Sequence, residues 1–131
     1  MRGAGLPQAP QRHSLSLRFP TPVPYNSMAL PPSTRCVPRD EALTRIKQAV
    51  AARRAVYETT GREILIVGRT DVRNDASYSD AFGEALWRCL AFEELGCDIV
   101  YFEGPQTVGE MTRFTRSMQR AFTMLAQVCV G

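Results

Sequence analysis

From Pro38 onward the chain alternates between helical stripes and short continuous apolar runs, and this alternation restricts the fold more than any other feature. Pro38, Asp40 and Glu41 mark a helix start, because proline is tolerated in a first turn and acids favour the positive end of the helix dipole. Leu43, Ile46, Ala49, Val50 and Arg53 follow at helical spacing and predict an amphipathic helix to about Tyr57, with Gly61 closing the loop after it. The run Glu63-Ile64-Leu65-Ile66-Val67 reads as a strand buried on both faces. Phe82, Ala85, Leu86, Cys89 and Leu90 form a second stripe, with Gly96 placed for a left-handed cap. Residues 97–102 read as a second strand, Val108, Met111, Phe114, Thr115 and Met118 as a third helix, and residues 122–128 as a third strand. Helix and strand in strict alternation with short loops mean parallel βαβ units, so the fold class is α/β.

The stretch before Pro38 is different in kind. Eight of the nine prolines lie in the first 38 residues, and no acidic residue precedes Asp40. Proline removes backbone donors and forbids helix interiors, so residues 1–36 are expected to be a disordered leader rich in Pro, Arg and Ser. An organelle transit peptide fits that composition, and so does an unrelated gene-model start. The ordered part is expected to be residues 37–131.

The totals exclude several classes. A net charge of +3 calls for no nucleic acid and no acidic membrane. No apolar run approaches the roughly 20 residues that span a bilayer. Cys36, Cys89, Cys97 and Cys129 show no CxxC spacing, and His13 is the single histidine, so neither a zinc site nor a disulfide scaffold is expected. A reducing intracellular compartment follows, with cytoplasm and organelle both open. No GxGxxG or GxxxxGK[ST] motif is present, and no Ser/His/Asp triad can be built. Trp87 reads as packing or helix surface, and Met111 and Met118 as core.

In parallel α/β folds ligands gather at the carboxyl ends of the strands. There the first strand offers Gly68-Arg69-Thr70-Asp71, the second Glu103-Gly104-Pro105-Gln106, and the third Gln127. An arginine at the end of a buried strand needs an anion, and its planar fork suits a carboxylate or phosphate. Glu103 could orient Arg69, bind a substrate hydroxyl or move a proton. A purely internal Arg69–Glu103 or Arg69–Asp71 ion pair is the plain alternative.

Several segments carry a family resemblance. Val37-Pro38-Arg39-Asp40-Glu41-Ala42-Leu43 and the helix after it, Ile66-Val67-Gly68-Arg69-Thr70-Asp71 (similar to an ARTD signature), Leu95-Gly96-Cys97-Asp98 through Phe102-Glu103-Gly104-Pro105 (similar to AGAD…F(V/I)E), and Met124-Leu125-Ala126-Gln127 (similar to LAN) occur in order. Together they resemble the isocitrate lyase / phosphoenolpyruvate mutase superfamily over residues 37–131. The resemblance implies part of a (β/α)8 TIM barrel, roughly strands five to seven. It also implies Mg²⁺, a small 2-hydroxy or 2-oxo carboxylic acid substrate, and carbon–carbon lyase chemistry by a retro-aldol route through an enolate. Carried over, Arg69 would clamp a substrate carboxylate, Glu103 and Gln127 would contact substrate, and Asp71 would support the Arg69 loop. Most related enzymes assemble as oligomers, which leaves a homo-oligomer open.

The departures from the family pattern weigh on activity. Nothing matches the family's KKCGH-like catalytic loop, and Cys36 lacks its flanking residues, so no catalytic residue is assigned. The family's metal-binding aspartates come from earlier strands, and no metal ligand is assigned here. Gly68 stands where alanine is usual, Gln127 where asparagine is, and Gly109 where an acid would open the third helix. The expected reading is a lyase-type fragment that is inactive alone. Its alternatives are a phosphonomutase-type enzyme acting at a P–C bond, a non-enzymatic truncated product, and a module that completes a barrel with another chain. Three strands with open edges should be poorly stable or associate, with the inward side chains Ile64, Ile66, Ile99 and Tyr101 lacking a facing layer.

Overall fold

The structure, a computed structural model, describes residues 35–125 and, within the leader, the strand His13–Phe19. Its elements are β1 (His13–Phe19), α1 (Arg39–Thr60), β2 (Ile64–Thr70), α2 (Ala81–Glu94), β3 (Ile99–Phe102), α3 (Val108–Ser117) and β4 (Phe122–Leu125). A short 3-10 turn, Val72–Asn74, follows β2. All strand pairs are parallel and the sheet order is β1-β2-β3-β4, so every crossover joins neighbouring strands. The α/β class holds.

Two expectations need correction. The sheet has four strands among the described residues, not three, because part of the leader forms β1. Residues 11–19 are free of proline between Pro10 and Pro20, and His13–Phe19 alternates polar and apolar residues, so this stretch can ladder on β2 once β2 supplies the template. Second, Ile64 and Ile66 do not share a face with Ile99 and Tyr101. The register pairs Val67 with Ile99 and Arg69 with Tyr101. A one-residue offset in a strand exchanges its faces, and sequence alone does not set that register.

The helices cover the face that carries Ile66, Val100 and Phe102, all buried against Ala42, Ile46, Ala85, Cys89, Phe92 and Phe114. The α1 stripe is as expected, and Gly61 closes the helix at φ 68° with its N–H on the Tyr57 carbonyl. Along α2 the buried line runs through Arg88 and Phe92, while Leu90 is exposed. In α3 Phe114 is buried, as is Met118 just after the helix, but Val108, in the first turn, lies open. The acid that opens α3 is Glu110, one residue after Gly109. Trp87 sits at the surface with the Arg39 guanidinium 3.9 Å from its ring centroid.

Buried charge in this core is always paired. Arg88 donates to Glu84 at 2.8 Å, to the Val37 carbonyl and to the Tyr78 hydroxyl; Glu84 also receives Arg39, so α1 and α2 are tied at their amino ends. Asp98 accepts from Arg53 and from the Ile66 N–H, joining α1, β2 and the start of β3. Glu93 accepts three backbone N–H groups, from Gln119, Arg120 and Ala121, and so holds the turn that leads into β4. No helix among the described residues is long and apolar enough to cross a membrane.

Gly68 is required by close packing rather than by its backbone angle. A Cβ at this position would meet Cys97 Sγ at 2.9 Å and Phe92 Cδ2 at 3.0 Å. Gly68→Ala should therefore destabilise the fold by about 1–3 kcal/mol through overpacking. Adding Cys97→Ala, which removes the Sγ, should recover part of that loss. Denaturant melts of the two single variants and the double variant measure the coupling, and strictly additive effects would contradict it.

Burial alone would raise the Glu93 carboxyl, but the three N–H bonds outweigh it and hold the group below its ordinary 4.5. A carboxylate lowered in the folded state contributes stability above its unfolded pKa and loses it as pH falls through the folded value. Glu93→Gln should cost about 1 kcal/mol at neutral pH. The gap to the unmodified chain should shrink as pH falls below 4.5. Thermal melts at pH 7 and at about pH 3.5 would show it; a gap that widens on acidification would contradict the assignment.

Candidate functional site

The register brings the carboxyl ends of β2, β3 and β4 level, with Thr70 beside Phe102 and Phe102 beside Leu125. On the sheet face away from the helices this forms a row of Arg69, Tyr101 and Met124. Arg69 is only 4% exposed. Its Nε donates to Asp71 Oδ1 at 2.8 Å, and its Nη2 lies 2.8 Å from the same oxygen. The guanidinium lies 4.8 Å from the centroid of the Tyr101 ring, within cation–π range. Burial would lower its pKa, but the hydrogen bond to Asp71 and the charges of Asp71 and Glu103 raise it, so it is a permanent cation.

Glu103 follows β3 directly, and its N–H donates to the Thr70 carbonyl, which fixes its backbone against the end of β2. Its carboxylate faces Arg69: Oε2 stands 3.4 Å from Arg69 Nη2, an ion pair, and this buried oxygen has no hydrogen bond. A buried acceptor left without a donor costs roughly 1–3 kcal/mol; the Arg69 charge offsets part of that, and a group that donates to Oε2 would offset the rest. Gly104 follows at φ 74°, a left-handed conformation that favours glycine.

Of the residues singled out from sequence, the structure thus brings Arg69, Asp71 and Glu103 together. Both internal ion pairs left open as a plain structural arrangement are formed. Gln127 lies outside the described residues. Cys36 makes no contact with that trio: its N–H donates to Asp75 in the loop after β2, and burial, with the Asp75 charge, pushes its thiol up to about 12. A thiol that stays protonated at neutral pH is a poor nucleophile or base.

Sequence reasoning missed Tyr101 as the ring beside the guanidinium. Strand alternation was the available signal, but it needed the β2–β3 register to become a contact. It also missed Arg73, which donates to both Glu110 oxygens and to Gln106 Oε1 above the site.

The described residues do not fit a Mg²⁺ ion on their own. Among them no group of three His, Cys, Asp or Glu side chains could hold a metal. Asp71 is engaged by Arg69, and the one unmatched oxygen, on Glu103, faces a guanidinium. Two concavities of about 480 and 520 Å³ lie at the amino ends of the strands, lined by residues such as Arg53, Tyr57 and Arg62 in the first and Glu94, Cys97 and Arg120 in the second. That is the end of the sheet opposite Arg69 and Glu103, and the end at which parallel sheets ordinarily bind nothing.

No family model matches the chain. In sequence it is 33% identical over 82 residues to 2,3-dimethylmalate lyase from Eubacterium barkeri, covering 63% of this chain and 25% of that one. It is 35% identical over 85 residues to oxaloacetate decarboxylase from Paraburkholderia xenovorans (strain LB400), covering 65% and 24%. In structure it resembles oxaloacetate acetylhydrolase in complex with 3,3-difluorooxalacetate, with a TM-score of 0.62 at 25% identity over 76% of this chain and 31% of that one. It also resembles 2,3-dimethylmalate lyase, described as a PEP mutase/isocitrate lyase superfamily member, with a TM-score of 0.61 at 26% identity over 73% and 31%. The chain spans about a quarter of the length of these curated relatives. In sequence and in fold, this chain is similar over part of their length to 2,3-dimethylmalate lyase and other proteins of the phosphoenolpyruvate mutase/isocitrate lyase type.

Proposed function

We propose that Arg69 and Glu103 form the carboxylate-binding part of a site for a small 2-hydroxy or 2-oxo acid, in the lineage of carbon–carbon lyases. The observation that carries this reading is the unmatched Glu103 oxygen beside a buried arginine at the carboxyl end of the sheet. Asp71, at 2.8 Å, is the arginine's permanent partner. Glu103, at 3.4 Å and without a hydrogen bond, is the exchangeable one. An incoming carboxylate takes the Glu103 side of the guanidinium, and a ligand hydroxyl donates to Glu103 Oε2. Both contacts are charge-assisted, and burial of the site strengthens them.

The relatives named as acting on dimethylmalate and oxaloacetate support this substrate class. The Mg²⁺ that the family resemblance implies would need ligands beyond the described residues. With both carboxylates of the site facing Arg69 and the Cys36 thiol held protonated by burial, this stretch alone is expected to bind its ligand without turning it over.

Isothermal titration with pyruvate and with oxalate, with and without Mg²⁺, tests the reading. The chain should bind, and Arg69→Lys, which keeps the charge but loses the planar fork, should weaken binding by about tenfold or more. Arg69→Ala should abolish binding, although it also leaves Asp71 buried and unpaired. A folded chain that binds neither acid, or a folded Arg69→Lys variant that binds as well as the original, would overturn the proposal.

A further inference from the structure

Two loops meet above the site, residues 71–75 after β2 and residues 103–107 after β3. Arg73 ties them together. Its Nη2 lies 2.9 Å from Glu110 Oε1, its Nε reaches both Glu110 oxygens at 3.2 Å, and its Nη2 also donates to Gln106 Oε1 at 2.7 Å. Glu110 in turn accepts the Gln106 N–H at 2.8 Å, so the cation, the first turn of α3 and the 103–107 loop are closed into one ring of bonds. The side chains of Arg73 and Glu110 are 19% and 15% exposed, sheltered enough for the pair to matter more than an open surface bridge.

A second contact presses the same loops together. Asn74, next to Arg73, packs on Gly104, where a Cβ would meet its Nδ2 at 2.6 Å. Gly104 is the residue that turns the chain straight after Glu103, and it does so at φ 74°. The 103–107 loop is therefore held at Gly104 by packing and at Gln106 by the Arg73–Glu110 ring. The residue left between this hold and the end of β3 is Glu103.

We propose that Arg73 is a positioning residue: its clasp on Glu110 and Gln106 holds the Glu103 carboxylate beside Arg69. The cost of keeping Glu103 Oε2 buried without a donor is what the clasp opposes, since a loosened loop would let that carboxylate turn to water. The importance of this for ligand binding rests on the proposed function, but the clasp itself does not.

The experiment uses the full chain, isotope-labelled, and three variants: Arg73→Ala, Arg73→Lys, and Arg120→Ala as a control that removes the exposed 2.6 Å pair with Glu94. NMR reads amide exchange at Glu103, whose N–H is bonded to Thr70, together with the carbon shift of the Glu103 carboxylate. Pyruvate affinity is measured in parallel. Arg73→Ala should speed exchange at Glu103 by about fivefold relative to Ile46 and Val100. It should also move the Glu103 carboxylate signal, with Arg73→Lys restoring part of both and Arg120→Ala changing neither. An unchanged Glu103 signal, or faster exchange spread evenly to Ile46 and Val100, would overturn the proposal and leave Arg73 a stability staple. These readouts need no ligand, so absence of pyruvate binding in the unmodified chain would sink the functional reading while the clasp is judged separately.

Discussion

A guanidinium that is 4% exposed must have an anion within reach, and the arrangement at the end of β2 follows from that requirement. Arg69 stays buried because Asp71, two residues on, turns back to it at 2.8 Å. The 3-10 turn Val72–Asn74 follows Asp71 at once, with the Asn74 N–H on the Asp71 carbonyl, and it carries Arg73 and Asn74 toward the next loop. One pairing thus sets the path of the β2–α2 loop, and that path brings Arg73 to Glu110. The same rule governs the rest of the core: Arg88 lies against Glu84, Asp98 bridges Arg53 and Ile66, and Glu93 gathers three backbone donors. Glu103 Oε2 also has its cation, 3.4 Å away on Arg69, but among the described residues it is the buried side-chain oxygen without a hydrogen bond.

What could be read from the sequence was what depends on short-range pattern. The three helices, the strands β2 to β4 and the Gly61 cap follow from spacing within a turn or two. Arg69, Asp71 and Glu103 were legible because a charge at the end of an apolar run is costly without a partner. The positions that failed depend on long-range geometry. The β1 strand needed β2 as its template, since His13–Phe19 is short and surrounded by proline. The faces of Ile64 and Ile66 needed the register with β3. The Arg73–Glu110 pair spans 37 residues and has no local signal at either end.

Departures from the family pattern can compensate one another. The resemblance has alanine at the positions of Gly68, in β2, and Cys97, two residues before β3. Here a side chain has been removed at the first and enlarged at the second, and Cys97 Sγ stands 2.9 Å from where the missing Cβ would be. The two changes thus exchange volume across the sheet on the helix-packed face, in contact with Phe92. Arg69, the next residue after Gly68, points to the other face and keeps its partners. The chain therefore departs from the pattern directly beside Arg69, while on the opposite face Arg69 stands 3.4 Å from Glu103 and 2.8 Å from Asp71.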